Sequence, residues 1–579
     1  MRLMLDEITV KLNGLDKNRI LGRKKDEAAV LEKLLGDESR NPNVSVVSIV
    51  GFGGVGKTTL ARLLYNNQKV KDYFELRVWV CVSEGFDVLT VSKAIYQDVT
   101  GEENAPASLN SLQEALKEKL SNKRFLLVLD DVWNEDHQKW KDVEKPLKGA
   151  PGSKILVTTR EITVASVMDG VERHNLGLLS DEDALSLLAK SALNEHNFDK
   201  CKGLPLALIA IGRVLKGKGI DEYEWDKLLK SEIWSSNDGG SDILPALKLS
   251  YYDLPLHLKK LFAYCSLFPK DYLFNKNKLV LLWMAEGFLS QSKGSSNTME
   301  SLGHQYFEDL LSKSFFQHSS IKKSKYIMHD LMNDLAISVA GEFFFMLDYK
   351  KNANGRNEAF DKIRHFSFLD PDEEFITFKE LHRSRRLRTF LPVGSYSHTS
   401  DHVLVKLLPR LQLLRVLSFN SCSIEKVPES IGGLKHLRYL NFSETKIEDV
   451  PEQVGELYNL QTLLVCDCHR LSRLPVSFAK LIKLRHLDMS NTPKLEKTPL
   501  GIGGLTSLQT LTLVFIKQAN GFKISDLEGL VNLEGHLSIK GLQEVTDLQQ
   551  AIDANLEGKK GLVSLEMEWG DEFDNSRNL

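Results

Sequence analysis

The sequence has few cysteines, no long hydrophobic run and no excess of charge of one sign. Six scattered cysteines in 579 residues exclude a disulfide-rich secreted protein and are typical of free thiols in a reducing compartment. No apolar run reaches the length of about 20 residues that a membrane-spanning helix needs. The first residues, MRLMLDEITVKL, carry two acids where a signal peptide would be apolar. We therefore expect a cytoplasmic protein without an integral membrane segment.

The charge balance also limits the class of partner. A net charge of −3 argues against a general nucleic-acid-binding surface. Because 579 residues are too many for one hydrophobic core, we expect several domains.

A glycine-rich stretch carries the clearest chemical signal. The sequence VSVVSIVGFGGVGKTTLARLLY begins at Val44 as an apolar, β-branched run, which predicts a buried parallel strand. It continues through a match to G-x-x-x-x-G-K-[ST] into leucines at helical spacing, which is the strand, loop and helix of a phosphate-binding loop. The predicted nucleotide-binding residues are Gly51, Gly53, Gly54, Val55, Gly56, Lys57, Thr58 and Thr59.

Each residue type in this loop has a chemical reason. Glycines let backbone N–H groups converge on phosphate oxygens, and the helix N-terminus adds partial positive charge. Lys57 would reach the β and γ phosphates, and the Thr58 hydroxyl would bind Mg²⁺.

Further strand-like runs follow at LRVWVCV, FLLVLD and KILVTT, with helix-like segments between them. This alternation predicts a doubly wound α/β domain. The run FLLVLD ends in Asp130 and Asp131. We expect Asp130 to complete the Mg²⁺ shell with Thr58, and Asp131 to orient or deprotonate an attacking water. Arg160 follows KILVTT and could reach the γ-phosphate, although an exposed arginine at a strand end is an equally simple interpretation.

The last third of the sequence is a leucine-rich repeat. LRVLSF, LRYLNF, LQTLLV, LRHLDM and LQTLTL recur at spacings of 23, 23, 24 and 24 residues, which predicts one strand per unit in a stacked solenoid. Residues alternating with the leucines should form a concave face that contacts ligand or only confers solubility. The predicted concave residues are Val416, Ser418, Tyr439, Asn441, Thr462, Leu464, His486, Asp488, Thr510 and Thr512.

The order of motifs extends beyond these two regions. GFGGVGKTTLA, LLVLDDVW, ILVTTR, GLPLA, CSLFPKD and MHD precede the repeats. In this order they closely resemble plant nucleotide-binding leucine-rich-repeat (NB-ARC) disease-resistance proteins, of the coiled-coil class judging by Trp133. The resemblance implies a P-loop NTPase domain, helical and winged-helix domains, and an α/β repeat solenoid.

The resemblance also implies a function and further site residues. The expected protein is an immune receptor that rests with ADP, is activated by exchange to ATP, and recognises a pathogen effector or a guarded host protein, with possible self-assembly. Arg23 and Pro205 would flank the adenine, Arg160 would sense the γ-phosphate, and His329 would contact the ADP β-phosphate. Since His329 lies 272 positions after Lys57, opening such a site requires a domain movement, and slow release fits a switch.

The expected domains are a coiled-coil remnant or linker (1–19), the P-loop domain (20–172), a shortened helical domain (173–240), a winged-helix domain (241–345), a linker (346–400) and repeats (401–579). Compared with the family, the signalling coiled coil is expected to be missing. The segment before Cys201 is shorter by about a three-turn helix, and no capping unit follows the repeats. Two alternatives to a switch therefore stay open: a working ATPase with Asp131 as catalytic acceptor, and a binding module without nucleotide.

Overall fold

The computed structural model describes residues 22–36, 44–82, 86–102, 105–168, 171–180, 183–184, 187, 204–218, 245–289, 298–319, 322, 324–348, 360–369, 381, 383–394, 405–517 and 521–570. The predicted coiled-coil remnant and the shortened segment before Cys201 lie outside these residues. The chain divides into two compact units. One comprises Met1–Lys259, Lys270–Asn275 and Glu308–Leu335, and the other Lys260–Pro269, Lys276–Phe307 and Ala336–Leu579.

The first unit is built around a five-stranded parallel sheet in the order β2-β3-β4-β1-β5. Its strands are β1 (Ser45–Val50), β2 (Leu76–Cys81), β3 (Phe125–Asp130), β4 (Lys154–Thr159) and β5 (Val171–Asn175). Strands β3 and β4 are buried along their whole length, as the continuous apolar runs predict for a sheet covered on both faces. Since all strands run in one direction, their carboxyl ends meet at one edge of the sheet.

Helices connect these strands and cover both faces of the sheet. They are α1 (Lys24–Leu35), α2 (Lys57–Asn66), α3 (Gln68–Tyr73), α4 (Val88–Thr100), α5 (Leu109–Leu120), α6 (His137–Glu144) and α7 (Ile162–Val167). Several begin at the cap that the sequence provides: the side chains of Asp87, Ser108 and Asp136 accept hydrogen bonds from the first turns of α4, α5 and α6.

The described residues in the middle of the chain are mostly helical, as their leucine periodicity predicts. The helices are α8 (Pro205–Lys218), α9 (Pro245–Tyr252), α10 (Leu256–Tyr264), α11 (Lys276–Glu286), α12 (Met299–Ser312) and α13 (Asp330–Ala340). A short antiparallel pair, β6 (Gln317–His318) and β7 (Tyr326–Ile327), lies between α12 and α13.

The second unit contains an eight-stranded parallel sheet. Five strands are the predicted repeats: β11 (Val416–Ser418), β12 (Tyr439–Asn441), β13 (Thr462–Leu464), β14 (His486–Asp488) and β15 (Thr510–Leu511). A three-stranded sheet continues the stack with β16 (Leu513–Phe515), β17 (Glu534–Lys540) and β18 (Gly561–Glu568), and helix α14 (Leu548–Asp553) precedes β18. The leucines of the successive repeats form one continuous hydrophobic core.

The prediction of a linker over 346–400 requires correction. Three strands, β8 (Phe344–Asp348), β9 (His365–Leu369) and β10 (Thr389–Pro392), pair in parallel and extend the repeat sheet before β11. The core positions of these units are filled by phenylalanines such as Phe366 and Phe390. Phenylalanine fills the apolar core positions in place of leucine, so a search for recurring leucines does not detect these repeats.

The predicted concave face is covered within the second unit. Val416, Tyr439 and Thr462 are at most 2 % exposed, and helix α11 packs on β11 and β12. At the end of α11, Arg415 donates a 2.5 Å hydrogen bond to the carbonyl of Glu286. The part of the predicted ligand-contacting face formed by β11 and β12 therefore lies against a helix of the same chain.

Candidate nucleotide-binding site

The glycine loop between β1 and α2 has the backbone conformation of an anion cradle. Gly54 and Gly56 adopt φ values of +76° and +102°, which residues other than glycine rarely adopt. The Lys57 Nζ atom donates hydrogen bonds to the carbonyls of Gly51 and Phe52 at 2.8 and 3.0 Å. Because C=O and N–H point in opposite directions across a trans peptide, the N–H groups of the next residues are turned to the other side, where a phosphate would bind.

Lys57 is buried at the start of α2, with 7 % of its surface exposed. Burial lowers the pKa of Lys57 to about 8, although Asp131 and Asp130 act in the opposite direction. A buried ammonium in this position favours an anionic ligand, because such a ligand would restore the charge balance that burial disturbs.

Thr58 and Asp130 meet where α2 begins beside the end of β3. The Thr58 hydroxyl donates to Asp130 Oδ1 at 2.9 Å, and the Thr158 hydroxyl donates to the same oxygen at 2.5 Å. Burial raises the pKa of Asp130, while these two hydrogen bonds oppose the rise. A hydroxyl at the start of α2 beside a carboxylate at the end of β3 is the oxygen donor set that Mg²⁺ accepts beside phosphate and water, so the residues present fit the ion.

Asp131 follows β3 in an uncommon backbone conformation, with φ of +58°. Its backbone N–H donates to the Thr158 hydroxyl at 2.8 Å. Burial and the negative charge of Asp330 raise the pKa of the Asp131 carboxyl. The side chain lies at the same sheet edge as the loop, which is where an acid that orients water would have to be.

Arg160 connects the loop with the motif Met328-His329-Asp330. An added Cβ on Gly53 would lie 3.2 Å from an Arg160 guanidinium nitrogen, so the arginine lies directly against the glycine loop. Its guanidinium forms an ion pair with Asp330 and stacks over the Trp133 ring at 4.7 Å. One side chain therefore contacts both the loop and the start of α13.

His329 lies immediately before α13 and its protonation is fixed by its surroundings. The N–H of Leu331 donates to His329 Nδ1 at 3.1 Å. Burial and the charge of Arg160 lower the pKa of His329 to about 4. The imidazole is therefore neutral at pH 7 with its hydrogen on Nε2, and it can act as a hydrogen-bond donor.

Three carboxylates from separate segments converge beside Arg160. Oxygens of Asp131, Asp271 and Asp330 lie within 4.8 Å of one another. Burial, reinforced by the charges of Asp330 and Asp131, raises the pKa of Asp271 to about 8. Asp271 is therefore mainly protonated at neutral pH, and this reduces the repulsion within the group.

The two residues expected at the adenine belong to segments that contact the loop. Pro205 is the first residue of α8, and its neighbour Leu206 lies 3.0 Å from the position of a Cβ added to Gly54. Arg23 precedes α1 and donates hydrogen bonds to the carbonyls of Val55 and Gly177 at 2.9 and 2.8 Å.

The prediction missed several contributors to this site. Thr158 fixes both Asp130 and the backbone of Asp131, and the only sequence signal was its place at the end of a strand next to β3. Asp271 was recognised as part of the CSLFPKD motif but was given no role. Lys270, in the same motif, forms an ion pair with Asp334 at 3.0 Å, which could not be inferred from spacing.

Three protein-family models match the chain in sequence order. They are the NB-ARC domain over residues 23–197, the winged helix domain of disease resistance proteins over 267–336, and a leucine-rich repeat region over 394–577. Disease resistance RPP13-like protein 1 of Arabidopsis thaliana is 42 % identical over 635 aligned residues, with 97 % of this chain and 55 % of the relative covered. The chain belongs to the plant NB-ARC leucine-rich-repeat disease resistance family.

A second relative from this family matches the chain to a similar extent. Disease resistance protein RGA2 of Solanum bulbocastanum is 36 % identical, with 96 % of this chain and 55 % of the relative covered. The chain thus spans about half the length of these relatives. The NB-ARC match confirms a nucleotide-binding domain. Among the described residues, every helix is too short or too polar to cross a membrane.

Proposed function

We propose that this chain is the nucleotide-dependent switch and recognition region of a cytoplasmic plant immune receptor. In this proposal ADP is held in the resting form and exchanged for ATP on activation, with Mg²⁺ bound by Thr58 and Asp130. Hydrolysis is slow at most, and Asp131 would orient the water. The repeats would recognise a pathogen effector or a guarded host protein and also contribute to autoinhibition, with self-assembly following activation.

The position of Arg160 is the observation that carries the proposal. The guanidinium lies against Gly53 of the loop and pairs with Asp330 at the start of α13. A triphosphate would bring a γ-phosphate to the loop, where it competes with Asp330 for the same guanidinium. A residue with two mutually exclusive anionic partners is suited to distinguishing two nucleotide states.

His329 supports the resting state in the same proposal. Its neutral ring presents the Nε2 hydrogen while Nδ1 is held by Leu331. Donation of that hydrogen to a β-phosphate would stabilise the arrangement in which α13 begins next to the loop. This interaction would favour the diphosphate-bound form and slow its release.

Contacts within the second unit support the autoinhibitory part. Glu300 on α12 accepts hydrogen bonds from Arg485 at 2.6 and 2.8 Å and lies 3.1 Å from His486 Nε2. Burial alone would raise the pKa of Glu300, but the hydrogen bonds from His486 and Arg485 outweigh it and hold the pKa well below its usual range. The carboxylate is therefore charged at neutral pH and binds two repeat residues to the winged-helix segment.

The test is to identify the nucleotide carried by the purified protein. Heat denaturation followed by chromatography of the supernatant should release about one ADP per chain, and a coupled assay should detect turnover far below the ~10 s⁻¹ median of enzymes. Release of no nucleotide would favour a binding module. Turnover near that median would favour a working ATPase.

A further inference from the structure

Arg23 is a buried cation that donates hydrogen bonds to one backbone oxygen of the glycine loop and one of the segment after β5. Its side chain is 6 % exposed. Nη2 donates to the carbonyl of Val55 at 2.9 Å and to that of Gly177 at 2.8 Å. Nη1 donates to Asp26 at 3.2 Å. The guanidinium thus joins the loop after β1 to the segment after β5.

Asp26 is itself held from the sheet. Its second oxygen lies 2.9 Å from His174 Nε2, and His174 is in β5. Asp26 therefore fixes the plane of the Arg23 guanidinium through Nη1. This leaves Nη2 to donate to the carbonyl of Val55. The chain of contacts runs from β5 through His174, Asp26 and Arg23 to the carbonyl of Val55.

The carbonyl of Val55 determines where the next N–H points. In a trans peptide the C=O and N–H groups lie on opposite sides, so holding the Val55 oxygen toward Arg23 turns the Gly56 N–H away from it, toward the interior of the loop. Gly56 has φ of +102°. Because a glycine backbone can adopt many conformations, neighbouring contacts are needed to keep it in this one. In a phosphate-binding loop this N–H is one of the groups that contact the anion.

We propose that Arg23 is a positioning residue for the phosphate cradle, acting through the Val55–Gly56 peptide. The inference rests on the proposed nucleotide function and assigns Arg23 to recognition of the diphosphate part of the ligand. Asp26 and His174 support Arg23 in this role. An arginine is required because its planar fork reaches two carbonyls and a carboxylate together, which the single ammonium of lysine does not reproduce.

The proposal makes the effect of a substitution depend on phosphate. Arg23→Gln should weaken ADP binding roughly ten-fold or more, because a charged hydrogen bond that orders the cradle is lost. Adenosine, which has no phosphate, should bind the wild type and the variant with equal affinity. If Arg23 instead contacts the adenine, both ligands lose affinity by the same factor.

The experiment measures ADP and adenosine affinities by isothermal titration calorimetry on the whole chain after removal of bound nucleotide. Lys33→Gln is the matched control. Lys33 lies on α1, the helix that Arg23 precedes, and its Nζ donates to the backbone carbonyl of Arg173 in β5 at 2.6 Å. Thermal unfolding without ligand checks that the variants are folded. If Arg23→Gln does not fold, Asp26→Asn replaces it, with an expected loss for ADP of roughly three-fold or more and none for adenosine.

Each result has a defined meaning. A loss for ADP alone, with Lys33→Gln like the wild type, supports the positioning role. Wild-type ADP affinity in a folded Arg23→Gln or Asp26→Asn variant overturns this role and leaves the proposed function intact. Equal losses for ADP and adenosine overturn it in favour of a base contact. Failure of the wild type to bind ADP would overturn the proposed function and the inference together.

Discussion

Arg160 and Asp330, 170 positions apart in the sequence, form an ion pair beside the glycine loop. Asp330 is 5 % exposed, so its charge depends on the arginine for compensation. Removing one member of a buried pair leaves the other unpaired and costs about 3–5 kcal/mol. Separating the two side chains without giving each a new partner is therefore costly enough to influence which nucleotide the loop retains.

The first prediction concerns Asp330. Asp330→Asn should free Arg160 and shift the protein toward the open form by about 1–3 kcal/mol, the usual range of coupling between sites. His329→Ala should act in the same direction. The measurement is the rate of ADP release, monitored through the displacement of a bound fluorescent ADP analogue. The expected increase in this rate is roughly 5–150-fold.

The control for this prediction lies one turn further along α13. Asp334 pairs with Lys270 and is 34 % exposed, so Asp334→Asn should change ADP release by a much smaller factor. Unchanged release in both the Asp330 and His329 variants would remove these residues from the proposed switch.

A second prediction concerns nucleotide capture by Lys57. Arginine keeps the charge but does not fit as a compact ammonium among the loop carbonyls and phosphates. Lys57→Arg should therefore purify with much less bound nucleotide than the wild type, measured by chromatography after denaturation. Lys71→Arg, at an exposed position in α3, is the control and should retain full occupancy. Equal occupancy in all three proteins would contradict the assignment.

The third prediction concerns Glu300 and the repeats. Glu300→Gln should lower the free energy of unfolding of this part of the chain by about 1–3 kcal/mol, because Arg485 and His486 lose a charged hydrogen-bond partner. A double-mutant cycle with Arg485→Gln in chemical denaturation should yield a coupling energy of about 1 kcal/mol or more. Lys435 and Glu456 form an exposed pair, at 48 % and 49 % exposure, and their cycle should give less than about 1 kcal/mol. Equal coupling in the two cycles would contradict a special role for Glu300.

The fourth prediction is a pH dependence with opposing contributions. The pKa of Asp271 is raised to about 8, so between about pH 4 and 8 the folded state binds more protons at this site and stability falls as pH rises. The pKa of His329 is lowered to about 4, so between about pH 4 and 6.5 stability rises with pH and offsets the first effect.

Above about pH 6.5 the His329 contribution has ended and the Asp271 contribution continues, until the pKa of Lys57, lowered to about 8, begins to act in the opposite direction. Without nucleotide, the wild type should lose at most about 2 kcal/mol of stability from pH 6.5 to pH 8, measured by urea unfolding at each pH. Asp271→Asn should remove most of this slope because an amide does not titrate. A slope that survives in the variant would assign it to another group.

The fifth prediction concerns the last strand, β18. Val563 is 88 % exposed, and Leu565, Met567 and Trp569 on the same face are 38 %, 44 % and 50 % exposed. Among the described residues, strand β18 is the outer member of its sheet, and one row of its backbone groups has no partner strand there. Hydrogen exchange should therefore be faster in β18 than in β12, which has a neighbour on each side. Equal protection in both strands would mean that another segment or molecule covers β18.

The fold was predictable where local patterns are strong. The strands at Phe125 and Lys154 begin and end as their apolar runs predict, because a strand buried on both faces needs a continuous apolar run. The same reasoning found the leucine units but not β8–β10, in which Phe366, Phe368 and Phe390 fill the core. A repeat search based on leucine therefore begins three strands too late.

The candidate site was predictable in its parts and not in its assembly. The proximity of Lys57, Thr58 and Asp130 could be predicted from the motifs, because the start of α2 and the end of β3 lie at the same edge of the parallel sheet. The pairing of Arg160 with Asp330 depends on tertiary structure, and no spacing in the sequence encodes it. The covering of Tyr439 and its neighbours by α11 was missed for the same reason, since alternation predicts a direction for a side chain but not what lies there.

The cover over β11 and β12 has a consequence for measured affinity. A ligand that contacts Val416 or Tyr439 can bind only to molecules in which α11 has moved away. Its observed dissociation constant is therefore the intrinsic dissociation constant divided by the fraction of molecules in which these residues are uncovered. If about one molecule in a hundred is uncovered, binding is weakened about a hundred-fold without any change in the contacts. Substitutions in α11 can then tighten binding from positions that never touch the ligand.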